Sequence, residues 1–294
     1  MAKGRIVKAL SGFYYVENED GIFQCRARGN FRKRKLTPLV GDWVEFEAEN
    51  RTDGYIMALE DRQNKLVRPP IANVEQAILI FSVEKPSFNP VLLDRFLVHV
   101  EASKIEPIIC LSKIDLEKDE EKAAMISYVE DYKNLGYEVL KTSIYIDETL
   151  RSLEPFINDK VSVFAGQSGV GKSSLLNALK PGINIETNEI SKSLGRGKHT
   201  TRHVELIPLD GGGYVADTPG FSSLDFQDIL PENLSLTFPE MRERINECKF
   251  RQCTHVNEPN CAVKKALEDG DIAPHRYKHY VQFLEEIKNQ KRRY

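Results

Sequence analysis

Near the middle of the chain the sequence reads Gly166-Gln167-Ser168-Gly169-Val170-Gly171-Lys172-Ser173 and continues with Ser174. The apolar run Val161–Phe164 precedes this stretch, and a helical pattern follows it. The glycines let the backbone curl so that its N–H groups point at phosphate oxygens, and the start of the helix adds a favourable field. We expect Lys172 to contact the β- and γ-phosphates of a nucleotide and Ser173 to bind Mg²⁺. A glycine-rich turn without function is the alternative, which the combination of strand, lysine and hydroxyl disfavours.

A second candidate motif is Asp217-Thr218-Pro219-Gly220, which follows another apolar run. At the end of a strand, the Asp217 carboxylate suits a role in holding Mg²⁺ through water, and the Gly220 N–H suits a γ-phosphate contact. Asp-x-x-Gly by itself is usually only a turn. Its position, about 50 residues after the phosphate loop in one α/β unit, favours function.

The motif Ser112-Lys113-Ile114-Asp115 follows the buried run Ile108–Leu111 and resembles the Asn-Lys-x-Asp motif of GTPases. An aspartate here accepts two hydrogen bonds from the guanine N1–H and N2–H₂ edge, which adenine cannot supply. Lys113 is expected to lay its stem over the base, whereas Ser112 replaces the usual Asn and makes fewer bonds. An ordinary helix N-cap is the alternative. The predicted base-contacting residues are Ser112, Lys113, Ile114, Asp115, Thr142 and Ser143.

The predicted base motif precedes the phosphate loop, so the order of motifs is permuted relative to an ordinary GTPase. Moving the base-reading strands ahead of the phosphate strand preserves the site in space while it relocates the chain termini.

A glycine-rich basic segment, residues 195–202, lies between the phosphate loop and Asp217, as expected of a switch. We expect Thr201, with Thr200 as the alternative, to contact Mg²⁺ and the γ-phosphate. Many GTPases have a water-orienting Gln after the Asp-x-x-Gly motif, where this chain has Phe221, so hydrolysis needs another group or a partner. His199 is the nearest candidate; a solvent-exposed loop residue or a nucleic-acid contact is the alternative. The predicted catalytic residues are Lys172, His199 and Thr201.

Three of the five cysteines lie close to a histidine, in the spacing Cys248-x4-Cys253-x-His255-x5-Cys261. Three thiolates and an imidazole are the ligand set of a closed tetrahedral Zn²⁺ site, which leaves no open position, so we expect one structural zinc. The spacing is not a common finger pattern, and a redox or merely buried role is the alternative.

A run of basic residues lies in the N-terminal part of the chain, namely Arg26, Arg28, Arg32, Lys33, Arg34 and Lys35. Loops of this kind on small barrels often contact oligonucleotides, although a charge run is usually a solvated face. The net charge of −3 argues against a globally basic nucleic-acid binder.

Composition and patterning divide the 294 residues into three parts. Short alternating runs up to about residue 65 predict an all-β module. Apolar runs separated by helices then predict a mostly parallel sheet covered on both faces. The remainder is mostly helical and ends in an amphipathic helix with Tyr277, Tyr280, Val281, Leu284 and Ile287 on one stripe. With no signal peptide or membrane-spanning run recognised, we expect a cytoplasmic monomer that does not contact membranes.

Together, residues 166–174, 195–201 and 217–221 and the Cys/His set resemble the ribosome small-subunit-dependent GTPase A (RsgA) family, the circularly permuted bacterial GTPases of 30S ribosome assembly. The resemblance spans essentially the whole chain. It implies an OB-fold RNA-binding domain at residues 1–67, a permuted GTPase domain at 68–223 and a zinc-binding domain at 224–294.

The resemblance further implies that the GTP-bound protein binds the maturing 30S subunit near the decoding region, that the subunit stimulates hydrolysis, and that GDP release accompanies departure. The family's switch histidine, proposed to position water, corresponds to His199. The basic loop at 26–35 falls in the part of the OB-fold that meets 16S rRNA.

Two other functions remain open at this point. A nucleotide-gated RNA-binding scaffold with incidental hydrolysis is compatible with Phe221. A P-loop kinase or ATPase is disfavoured by Asp115.

Overall fold

The computed structural model describes residues 1–29, 31, 36–66, 70–117, 119–183, 204–217 and 224–291, and for residues 119–124, 217 and 291 the backbone alone. Within these ranges the strands are β1 Ala2–Leu10, β2 Phe13–Asn18, β3 Gly21–Ala27, β4 Trp43–Asn50, β5 Asp53–Leu59, β6 Lys65–Leu66, β7 Ile71–Ala72, β8 Gln76–Ser82, β9 Glu106–Ser112, β10 Glu138–Lys141, β11 Val161–Ala165, β12 Val204–Pro208 and β13 Tyr214–Asp217. The α-helices are α1 Pro90–Ala102, α2 Asp119–Asn134, α3 Asp147–Arg151, α4 Glu154–Ile157, α5 Lys172–Leu179, α6 Pro239–Arg242, α7 Ala262–Asp269 and α8 Pro274–Lys291.

The first five strands close into a barrel, because β1 pairs with β4 as well as with β2. The order around the barrel is β1-β2-β3-β5-β4, and only β3 and β5 run parallel. Alternate residues of each strand point inward, and the interior side chains Ile6, Val16, Val44, Phe46 and Ile56 are at most 1% exposed. The all-β N-terminal module predicted from the sequence is confirmed as a closed barrel.

A mostly parallel sheet follows, in the order β10-β9-β8-β11-β13. Strand β8 is buried along its whole length, as expected of a strand covered on both faces. Its residues Ala77, Leu79 and Phe81 belong to the core cluster that includes α1, whereas Ile78 and Ile80 pack in the cluster that includes α5. This arrangement confirms the predicted α/β domain.

The barrel and the parallel sheet form one continuous sheet of eleven strands. Strand β12 lies between them and runs antiparallel both to β13 and to β1. No sequence pattern predicts this pairing, because the register of β1 against β12 joins residues almost 200 positions apart.

The C-terminal region is built from short helices around a separate apolar cluster. On α8 the side chains of Tyr280, Leu284 and Ile287 are buried in that cluster, and Tyr277 and Val281 pack against it. The predicted amphipathic stripe is therefore confirmed. Val98 of α1 joins the same cluster, so the C-terminal helices pack directly on the α/β domain.

The stretch of residues 67–70 between β6 and β7 falls largely outside the described residues. Strands β6 and β7, which flank it, pair antiparallel, so the structure brings the two ends of this stretch together. The domain boundaries at 67/68 and 223/224 remain predictions. Among the described residues no helix is both long and apolar enough to cross a bilayer.

Candidate functional site

The predicted nucleotide motifs come together at one edge of the parallel sheet. Strands β8, β9, β10, β11 and β13 run in the same direction, so their carboxyl ends all lie at that edge. The phosphate loop follows β11, the Ser112 motif ends β9, and Asp217 ends β13. Open α/β sheets bind ligands in the crevice outside the carboxyl ends of their strands.

The phosphate loop turns tightly between β11 and α5. Gly166 has φ +150°, and a Cβ there would lie 2.1 Å from the carbonyl oxygen of Ile80 in β8, so only glycine fits. Gly171, with φ 97°, is the N-cap of α5, and its carbonyl accepts the Leu175 N–H at 2.8 Å. The N-terminus of α5 therefore faces the loop, as an anion site requires.

Lys172 and Ser173 occupy the first turn of α5. The Lys172 ammonium donates to the carbonyls of Gly166 and Gln167, both at 2.8 Å, and so lies across the loop. Burial lowers the pKa of Lys172 to about 8. A partly buried ammonium that is already hydrogen-bonded to the loop is suited to bind phosphate oxygens.

The predicted base-reading motif is joined to the phosphate loop by side-chain hydrogen bonds. The Ser112 hydroxyl donates to the carbonyl of Val170 at 2.6 Å, and the Lys113 ammonium donates to the carbonyl of Gly169 at 2.7 Å and to that of Lys85 at 2.5 Å. Ser112 therefore has a positioning role that its shorter side chain did not suggest from the sequence. The role of the Lys85 carbonyl was not predicted either, since a backbone acceptor has no sequence signal.

The Asp115 side chain is held by Ser143, a residue of the segment that connects β10 to α3. Asp115 lies exposed in the 3-10 turn Ile114–Leu116 that follows β9, and one of its carboxylate oxygens accepts the Ser143 hydroxyl at 2.6 Å. The Ile114 N–H donates to the carbonyl of Thr142 at 3.3 Å. Thr142 and Ser143 are predicted from the sequence to contact the base, and the structure shows in addition that the Ser143 side chain orients Asp115.

Several predicted site residues are described only by their backbone or lie outside the described residues. The backbone of Asp217 lies one residue beyond the paired Val163 and Ala216, close to the start of the phosphate loop, and its side chain is not described. His199, Thr200, Thr201, Gly220 and Phe221 lie outside the described residues. Their roles remain predictions.

The Cys/His set forms a compact cluster in the C-terminal region. One ligand atom from each of Cys248, Cys253, His255 and Cys261 lies within 4.8 Å of the other three. The His255 Nδ1 is 3.3 Å from the Cys261 sulfur and 3.6 Å from the Cys248 sulfur, and those two sulfurs are 4.0 Å apart. Ligands about 2.3 Å from a tetrahedral zinc have separations of this size, so the cluster fits a zinc ion.

The chemistry of the cluster also fits a metal. Burial raises the pKa of Cys253 to about 12 and raises that of Cys261, and it lowers the pKa of His255. The neutral imidazole that results can bind a metal, and a bound cation would deprotonate the thiols. Glu258 holds the ligand loop through bonds to the Thr254 N–H and hydroxyl at 2.8 and 2.7 Å.

The predicted RNA-contacting loop is described only in part. Arg32, Lys33, Arg34 and Lys35 lie outside the described residues. Arg26 stacks on the ring of Phe13 at 4.9 Å, and Arg28 lies 4.0 Å from the Glu47 carboxylate. Phe31 is buried and contributes to the barrel core, so it anchors this loop.

Comparison with known proteins identifies relatives along the whole chain. The family model described as RsgA GTPase matches residues 59–227, and the one described as RsgA N-terminal domain matches residues 3–56. A Halalkalibacterium halodurans protein named small ribosomal subunit biogenesis GTPase RsgA is 64% identical over 293 residues, which cover 100% of this chain and 99% of that protein. A Bacillus subtilis protein of the same name is 58% identical, with 100% of both chains covered.

Two solved structures share the fold. The crystal structure of YloQ, described as a circularly permuted GTPase, matches with a TM-score of 0.85 and 53% identity over 99% of this chain and 96% of that one. YjeQ from Thermotoga maritima matches with a TM-score of 0.86 and 38% identity over 97% and 98% of the two chains.

Proposed function

The chain belongs to the RsgA family of GTP-hydrolysing enzymes, and from this premise we propose that it acts in late assembly of the small ribosomal subunit. In this proposal the GTP-bound protein binds the 30S subunit, the subunit stimulates conversion of GTP and water to GDP and phosphate, and hydrolysis is linked to release. The names of the relatives support a role in assembly of the small ribosomal subunit.

The contacts of Ser112 and Lys113 with the phosphate loop are the observation that carries the nucleotide part of the proposal. These hydrogen bonds support a single site formed by the proposed guanine-reading motif and the phosphate loop, although the two are more than 50 residues apart. A nucleotide that spans both loops has its base at Asp115 and its phosphates at Lys172.

The proposed site divides into three groups of residues. Residues 166–174 surround the phosphates, and Lys172 neutralises charge that develops on them during hydrolysis. Ser173, Thr201 and Asp217 are the proposed Mg²⁺ ligands, and the bound ion supplies further charge neutralisation. The base is read by Asp115, covered by Lys113 and flanked by Ser112, Ile114, Thr142 and Ser143, while Gly220 contacts the γ-phosphate.

His199 is the proposed group that positions the attacking water, because Phe221 follows Gly220 where a glutamine is usual in GTPases. The basic loop residues Arg26, Arg28, Arg32, Lys33, Arg34 and Lys35 are the proposed contact with 16S rRNA. A cytoplasmic location and a monomeric state complete the proposal. The Cys248 cluster is proposed to hold one structural zinc.

The decisive experiment is GTP turnover measured with and without purified 30S subunits, with 50S subunits as the control. We expect turnover to rise strongly with 30S subunits only. An unchanged rate would favour a nucleotide-gated scaffold in which hydrolysis is incidental.

Base recognition is tested separately by competition. Excess GTP should displace labelled GDP from the wild type, and ATP should not, because adenine cannot donate two hydrogen bonds to Asp115. Asp115→Ala should remove that preference, while Asp147→Ala, an exposed acidic residue at the start of α3, should keep it. Equal displacement by ATP and GTP from the wild type would contradict guanine recognition.

A further inference from the structure

An aromatic side chain lies at the tip of a tight turn beside the base-reading motif. The turn spans residues 143–146, and the Ile146 N–H donates to the carbonyl of Ser143 at 3.2 Å. The Thr149 hydroxyl accepts the Ser143 N–H at 2.9 Å and donates to the carbonyl of Ile146 at 2.7 Å. These bonds hold both ends of the turn, so the position of Tyr145 at its tip is well defined.

Tyr145 is far more exposed than an aromatic side chain usually is. Its exposed fraction is 79%, whereas the other exposed aromatic side chains of the described residues, Trp43, Tyr55 and Phe250, are 41 to 43% exposed. Large rings stabilise proteins mainly through the area they bury. A ring displayed on a hydrogen-bonded turn is therefore available to a ligand, and binding needs to order only the side chain.

The turn is connected to the base-reading carboxylate by two hydrogen bonds. The Tyr145 N–H donates to the Ser143 hydroxyl at 3.1 Å, and that hydroxyl donates to Asp115 at 2.6 Å. A guanine whose N1–H and N2–H₂ groups bind Asp115 would consequently lie next to the turn that carries Tyr145.

The two faces of the base have different surroundings. Lys113 is anchored over the phosphate loop by its bonds to Gly169 and Lys85, so its stem can cover one face of a purine. We propose that Tyr145 stacks on the opposite face and so forms the second wall of the guanine site. This inference rests on the proposed function, since it requires a guanine nucleotide at Asp115.

Stacking on the base does not involve the reacting phosphates, so Tyr145 should contribute equally to the binding of GTP and GDP. Alanine substitution of a ring stacked on a base typically weakens binding about tenfold. Because this contribution is the same in the ground and transition states, its loss raises KM and leaves kcat unchanged.

The test measures the dissociation constants of GDP and a non-hydrolysable GTP analogue by calorimetry. Tyr145→Ala should weaken both about tenfold, and Tyr145→Phe should retain wild-type affinity. Tyr55→Ala, which removes a tyrosine exposed on the barrel, is the matched control and should change neither constant. All variants should melt at the wild-type temperature, because both side chains are exposed.

A spectroscopic measurement separates stacking from an indirect effect. The wild type contains a single tryptophan, Trp43. Tyr145→Trp therefore adds one fluorescent side chain, and its signal is obtained by comparison with the fluorescence of the wild type. GDP should quench the added fluorescence if the ring stacks on guanine.

Wild-type affinity in Tyr145→Ala, or no quenching in Tyr145→Trp, would overturn the inference. Loss of stimulation by 30S subunits with unchanged nucleotide affinity would also overturn it, because it would assign the turn to a partner surface. If the wild type itself binds no guanine nucleotide, the proposed function fails instead.

Discussion

Lys172 illustrates how the surroundings of one residue determine its chemistry. Burial lowers its pKa to about 8, so part of the free protein carries a neutral amine in mildly alkaline solution. Phosphate oxygens favour the charged ammonium and raise the pKa in the complex. Nucleotide binding near pH 8 must therefore take up protons, and affinity must fall as the pH rises further.

Calorimetry of GDP binding at pH 8 in buffers of different ionisation enthalpy measures this uptake. We expect up to about half a proton per GDP bound. Lys172→Arg is the control, because a guanidinium stays charged in this pH range. In this variant the proton uptake and the pH dependence of GDP affinity should disappear. Uptake that persists in the arginine variant would assign the proton to another group.

Among the elements, α1 and α8 are joined by a buried ionic cluster. Arg276 of α8 pairs with Asp94 of α1 and with Glu240 of α6, the latter at 2.8 Å. Asp94 also binds His279 at 2.5 Å and the Tyr132 hydroxyl at 2.7 Å. Asp94 and Arg276 are fully buried, so each depends on the other for compensation of its charge.

Asp94→Asn should destabilise the protein by about 3 kcal/mol, because it leaves the Arg276 charge only partly compensated. Urea denaturation at pH 7 measures the change. Lys3→Gln, which breaks the exposed pair of Lys3 with Glu60, should leave the midpoint unchanged. Equal midpoints for Asp94→Asn and the wild type would contradict the importance of this cluster.

The same buried ionic cluster predicts that the stability of the folded state decreases in acid. Burial tends to raise the pKa of Asp94, but the charge of Arg276 and the bond from His279 outweigh it, and the pKa is lowered. A carboxylate with a lowered pKa stabilises the folded state above its unfolded pKa of about 4, and this contribution is lost as the pH falls further. Asp94→Asn should therefore show a smaller loss of stability between pH 7 and pH 3 than the wild type.

The Cys248 cluster lies in the segment before α7, and its cysteines pack in or against the apolar cluster of the C-terminal region. If the cluster holds zinc, chelation should increase amide exchange over residues 248–269 and leave β8 to β11 protected, because the three cysteines and the histidine then lack a common partner. Metal analysis should find one zinc per chain, lost in Cys253→Ser and retained in Cys25→Ala, since Cys25 lies in the barrel core. Full protection after chelation would refute a structural zinc.

In the whole molecule, the barrel is attached to the α/β sheet along β12 and β13. The Tyr214 hydroxyl donates to Glu17 at 2.8 Å, and Lys8 pairs with Glu205 at 2.9 Å. The Arg5 guanidinium lies 4.5 Å from the ring centre of Trp43 and 5.5 Å from that of Tyr214. The barrel thus contacts the strand that ends in Asp217.

Tyr214→Phe removes the hydrogen bond to Glu17 and should weaken this attachment by about 1 kcal/mol. Hydrogen exchange should become faster in β1 and β12, while the centre of the parallel sheet stays protected. Tyr55→Phe, which changes an exposed tyrosine of the barrel, should leave exchange unchanged. Faster exchange throughout the molecule would indicate general destabilisation in place of a local loosening.

The sequence alone was sufficient for the strand–loop–helix context of residues 166–174, the position of Asp115 directly after a buried strand, the Cys/His cluster and the stripe of α8. Each of these depends on residue spacing within one short segment, where glycine conformations, metal-ligand preferences and apolar periodicity act locally. The permuted motif order was also visible, because it requires only the positions of two motifs along the chain.

Only the tertiary structure decided how distant segments meet. The bond of Ser112 to Val170, the pairing of β1 with β12, the Asp94–Arg276 pair and the placement of Tyr145 beside Asp115 join segments that the chain brings together only on folding. Short polar side chains and backbone carbonyls have many possible partners in a sequence, so their actual partners are determined by packing. The nucleotide chemistry was therefore encoded locally, whereas the walls of the site and its attachment to the flanking domains depend on the fold.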